Sequence, residues 1–72
     1  MTPKEQHELI TKIGEKIKLD NVSIFVRFIQ TRFPDEQYEG YIREWAERFK
    51  GGNPIMHMDE TSKSIYLNII QN

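Results

Sequence analysis

Between Tyr38 and Phe49 the residues Tyr38, Tyr41, Ile42, Trp45, Ala46 and Phe49 recur at i, i+3, i+4, i+7, i+8 and i+11, a spacing that only an α-helix gathers onto one side. Around the stripe the charges agree with a helix dipole. Asp35, Glu36 and Glu39 come first and Arg48 and Lys50 last, while Glu39 with Arg43 and Glu44 with Arg48 form i, i+4 pairs. Gly51-Gly52-Asn53-Pro54 stops the helix, which is expected over 35–50. An aromatic face this broad has to be covered, and a chain of 72 residues without cysteine must cover it by packing or association, with no disulfide or thiolate zinc to help. This length makes one small core, and a second domain is excluded.

Two further helices precede it. Thr2-Pro3-Lys4-Glu5 combines an N-cap threonine, proline at the first helical position and glutamate at N3, so a helix starts there. Leu9, Ile10, Ile13 and Ile17 fall on one side of it and the helix is expected over 3–18. The segment 21–33 is rich in β-branched and aromatic residues that also suit a strand. The spacing of Val22, Phe25, Val26, Ile29 and Phe33 decides for a helix, because a strand of that length would be long for this chain. Ile24 and Phe28 lie behind this stripe and give the helix a second apolar side.

The tail alternates differently. Ile55-Met56-His57-Met58, a polar stretch 59–64 and then Ile65-Tyr66-Leu67-Asn68-Ile69-Ile70 read as a β-hairpin over 55–70. Pairing Met58 with Ile65 puts Met56 and Met58 inside and His57 outside, and a slip of one residue reverses this. The fold class is therefore α+β: three helices followed by a C-terminal β-hairpin. In the order of its elements the chain resembles a winged-helix domain, with 34–50 as recognition helix and 55–70 as wing. A three-helix bundle with an added hairpin fits equally well. The winged-helix resemblance implies a DNA-binding transcriptional regulator, but no family motif accompanies it.

Charge argues against that function. With 10 Lys and Arg against 11 Asp and Glu, no segment is basic enough to make phosphate binding the expected activity. A recognition helix would present Asp35, Glu36 and Glu39 at its entry, which repel phosphate, and the wing offers only Lys63. Catalysis and metal binding find no constellation. His7-Glu8 lacks a second histidine at i+4, His57 stands alone between methionines, and the glycines at 51–52 follow a helix, whereas a phosphate loop precedes one. Asp59-Glu60-Thr61-Ser62 does not have the calcium-loop pattern. No catalytic residue, cofactor or metal is expected. The apolar runs are far short of a membrane span, and the N-terminus lacks the apolar core of a signal peptide. The expectation is a cytoplasmic protein, bacterial or acting in a virus's host.

What remains is a non-enzymatic domain that binds another protein or itself as a homodimer, as an inhibitor, adaptor or regulator. Two contact sets are expected. One is the second side of the helix 21–33, namely Ile24, Arg27, Phe28 and Thr31, which either meets a partner or lies between the first helix and the hairpin. The other is the acidic outer side of the third helix, namely Glu36, Glu39, Gly40, Arg43, Glu44 and Glu47, which suits a basic partner.

Overall fold

Helix α1 (Pro3–Ile17) begins where its capping box requires. Thr2 Oγ1 accepts from the Glu5 amide at 3.1 Å, and the Thr2 amide donates to Glu5 Oε1 at 3.0 Å. The helix ends in a Schellman turn: Lys18 adopts φ 66°, its amide donates to Glu15 O at 3.0 Å, and the Leu19 amide donates to Gly14 O at 3.1 Å. Gly14 is what lets the next helix approach. A Cβ there would stand 3.2 Å from Val22 Cγ1 and 3.3 Å from the Phe25 ring. Helix α2 (Val22–Arg32) is capped by Asn21, whose Oδ1 accepts from the Ile24 amide at 3.2 Å.

The computed structural model describes residues 1–71, and among them the architecture is all-helical. Helix α3 spans Glu39–Lys50, a 3₁₀ turn spans Pro54–His57, and helix α4 spans Glu60–Gln71. The α+β expectation is overturned, and with it both the winged-helix-like arrangement and the helix bundle with hairpin: the segment 55–70 holds no strand. The reasons are local and tertiary. Pro54 starts the 3₁₀ turn, and the Met58 amide closes it on Ile55 O at 3.1 Å. Asp59 then acts as a helix cap, its Oδ1 accepting from the Ser62 amide at 2.8 Å and its carbonyl from Lys63 N at 2.9 Å. The alternation of Ile65, Leu67 and Ile69 belongs to a run in which Asn68 is the lone polar residue, and such a run fits either period. The buried side of α4 keeps Ile65 and Ile69 but joins them with Ser62 and Tyr66 at helical spacing, leaving Leu67 out. Met56 is consequently outside, not inside, and His57 is also exposed.

Helix α3 starts four residues later than the charge pattern suggests. Pro34 turns the chain, with the Glu36 amide donating to Phe33 O at 3.0 Å, and residues 36–38 run on without helical bonding. Tyr38, which the spacing assigns to the buried stripe, becomes the N-cap residue and is 71% exposed.

The core gathers around α2. Phe28 is wholly enclosed, its ring 5.1 Å from that of Trp45, 5.5 Å from Phe49, 6.3 Å from Phe33 and 6.4 Å from Tyr66. Phe25 meets Phe49 edge-on at 5.1 Å, and Ile10, Ile29 and Ile42 are fully buried beside them. Each such ring contact adds about 0.5–1.5 kcal/mol beyond the area it buries. The second apolar side of α2 is thus covered from within the chain, Phe28 wholly and Ile24 in part, by α3 and α4 together. Two polar contacts set directions. Lys50 Nζ donates to Ile17 O at 2.9 Å, so α1 and α3 end together. Arg32 donates through Nε to Ser62 Oγ at 2.9 Å and pairs through its terminal nitrogen with Asp59 at 3.2 Å, so α4 starts where α2 ends and runs back along it.

Candidate binding surfaces at the two ends of the bundle

At one end the connection 33–38 is held from behind by a buried amide. Gln6, 4% exposed, donates through Nε2 to Phe33 O at 3.0 Å and to Glu36 O at 2.8 Å. Gln30 Nε2 reaches Pro3 O at 3.1 Å and Gln6 Oε1 at 3.4 Å, which orients that amide. Buried amides kept in this way make a loop rigid, because each unsatisfied carbonyl would cost about 1–3 kcal/mol. The Tyr38 amide donates to Glu36 Oε2 at 3.0 Å, and the Tyr38 ring lies over Gly40, where a Cβ would come within 3.0 Å of it. Asp35, Tyr38 and Glu39 are exposed around this ledge and Glu36 is half-buried beneath it. Glu5, Asp59 and Glu60 stand at the N-termini of α1 and α4 at the same end, against Lys4 and Arg32. Acidic residues gather here because helix N-termini stabilise negative charge.

Two of these carboxylates titrate low. The Glu5 carboxyl is held below its ordinary value by the Thr2 backbone amide and then the Thr2 hydroxyl. The Asp59 carboxyl is lowered by the Ser62 backbone amide, the Ser62 hydroxyl and then Arg32.

At the opposite end α1 and α3 terminate, and α2 begins. A cleft of about 320 Å³ opens there, with Leu19, Ile24, Phe49, Pro54 and Tyr66 along it and Lys18, Asp20, Asn21, Lys50 and Gly52 at its margins. Lys18 is exposed, and Lys50 spends one of its three N–H groups on Ile17 O.

The first expected contact set comes apart. Phe28 is inside the core and takes no part in any surface, Ile24 is half-buried in the cleft, and Arg27 and Thr31 are exposed along α2. Arg27 borders a separate groove between α1 and α2, with Val22, Val26 and Thr11, whose buried hydroxyl has no partner among the described residues. Of the second set, Glu36 falls outside α3, half-buried in the connection before it, and the rest stay together on the helix. Glu39 pairs with Arg43 at 3.7 Å, and Glu44 and Glu47 are exposed on the turns that follow. Arg48 lies 4.8 Å above the Trp45 ring, away from the pairing with Glu44 that the spacing suggests. The indole N–H of Trp45 is buried without an acceptor among the described residues.

Sequence reasoning passed over Gln6 and the cleft. Gln6 had a signal, its position one turn ahead of Leu9, Ile10 and Ile13 on the same side. The cleft had none, since its residues come from five separate segments. His7 and His57 are both exposed, and among the described residues no three His, Cys, Asp or Glu side chains gather as a metal site. No described helix is long and apolar enough to cross a membrane. Comparison with protein-family models, with curated proteins and with solved structures finds no match to this chain.

Proposed function

We propose that the chain is a non-enzymatic protein-binding domain, an adaptor or inhibitor, whose contact surface is the acidic ledge around Tyr38 and the adjoining outer side of α3. The observation that carries this reading is Tyr38 itself, a large ring 71% exposed that lies over Gly40, with its backbone amide held by Glu36. Exposed rings held rigid make good anchors, because little side-chain entropy is lost on binding and the ring brings both apolar area and a hydroxyl. Glu36 and Glu39 flank it with negative charge, moderated by Arg43, and Glu44 and Glu47 continue that charge along α3. The matching partner has a basic rim and an apolar recess, the electrostatic part setting rate and orientation and the ring most of the affinity. No cofactor or chemical step is involved. Nucleic acid is not the partner proposed, since the carboxylates at the start of α3 oppose phosphate and the supposed wing is α4.

The test is a titration of isotopically labelled protein with an amphipathic Lys-Leu peptide and with its Glu-Leu counterpart. The Lys-Leu peptide is expected to shift amides between 35 and 47, and Tyr38→Ala to weaken it by about tenfold or more. Equal binding of both peptides, or an unaffected Tyr38→Ala variant, would refute the assignment.

A further inference from the structure

The partner chemistry just described exists on the molecule itself. The cleft at the opposite end has an apolar floor of Ile24, Phe49 and Tyr66, and its margin carries Lys18 and Lys50 against Asp20 alone. We propose that this cleft receives Tyr38 of a second copy, so that the chain associates head to tail, an inference that rests on the reading of Tyr38 as an anchor. The ledge and the cleft complement each other in both respects that matter. An exposed ring faces a recess of mixed lining with apolar side chains at its floor, about the size of the smallest ligand sites, and Asp35, Glu36 and Glu39 face two ammonium groups. They cannot meet within one chain, because Gln6 ties the ledge to the start of α1 whereas the cleft lies beyond its end. Knob and socket are different surfaces, so the contact is heterologous and leaves one of each free at the ends of every assembly. The near-zero net charge of −1 leaves little overall repulsion to oppose it.

This geometry predicts a result that a closed two-fold dimer cannot produce. Tyr38→Ala loses the knob and keeps the socket; Lys18→Glu keeps the knob and reverses a socket charge. Both residues are exposed, so both variants fold, as circular dichroism will verify. By light scattering the wild-type mass is expected to rise with concentration past that of a dimer, more so at low salt, and each variant alone to associate at least about tenfold more weakly. An equimolar mixture of the two variants should form a dimer that grows no further, because the one intact knob and the one intact socket are then used up. A wild-type mass that stays at one copy, or stops at two, overturns the proposal, and so does a mixture that behaves like its separate components. The Lys-Leu titration separates the two readings. Peptide binding at Tyr38 without self-association removes the second copy and keeps the ledge, whereas loss of both removes the ledge as well.

Discussion

Helix α2 buries Phe25, Val26, Phe28 and Ile29 and touches all three other helices, whereas α4 buries only Ser62 and Ile69 and rests mainly on α2. Both are rich in β-branched and aromatic residues, and both have apolar side chains on more than one side. The difference lies in how each is held. The first is the hub around which the aromatic rings close, and the second is docked along one face and clamped at its start by Arg32, Asp59 and Ser62. Elements held in these two ways open with different free energies, since local stability follows buried contacts.

The largest effect that would test this is at the hub. Phe28→Ala removes the ring shared by α2, α3 and α4 and is expected to cost about 3–5 kcal/mol, comparable with the whole stability of a chain this size. Urea denaturation should show a global loss with no separate phase for α4. Ile69→Ala should cost less, about 2 kcal/mol, because α4 packs along one face only and leaves Ile69 slightly exposed, so its surroundings can relax into the gap. Hydrogen exchange should then open the α4 amides while those of α2 stay protected. Equal opening of both helices would erase the distinction.

The clamp sharpens the comparison. Arg32→Ala leaves the buried Ser62 hydroxyl without its donor and Asp59 without its cation, for a loss of about 1 kcal/mol, seen as faster exchange in the first turn of α4. A double-mutant cycle with Asp59→Ala measures the coupling between them.

The smallest effect is in acid. The Asp59 carboxyl titrates below its unfolded value, so its contribution to stability is complete above about pH 4 and is lost as the pH falls through the lower, native value. Asp59→Asn keeps an acceptor for the Ser62 amide and removes the titration. Its urea midpoint should therefore fall less between about pH 4 and 2 than that of the unaltered chain, with Glu5 accounting for part of the remaining slope.

For α2 a long stripe, over a segment too long for a strand in this chain, was enough to choose helix over strand from the residues alone. For α4 five apolar positions with one polar interruption were not, because a window that short satisfies both periods. A cap signal existed in Asp59 ahead of Ser62, but the same polar residues also suit a hairpin turn. Tyr38 shows the converse error. Its spacing placed it in the α3 stripe, and the Pro34 turn moved it to the surface by starting the helix at Glu39.

The candidate site divides along the same line. The carboxylates of the α3 face were legible because charge and helical register are local properties. The burial of Phe28, the amide lock at Gln6 and the cleft between Lys18 and Lys50 were not, since each is made by residues distant in the chain. What the sequence determined by itself is therefore the helices whose periodicity, caps and breakers act over a few residues: α1, α2 and the body of α3. Only the tertiary structure decided that 60–71 is helical, and that its Tyr66 side completes the cover over Phe28 that Trp45 and Phe49 begin. The physical reason is that an ambiguous segment takes the conformation whose apolar face fits the surface left open to it. That surface exists once α1, α2 and α3 have packed together.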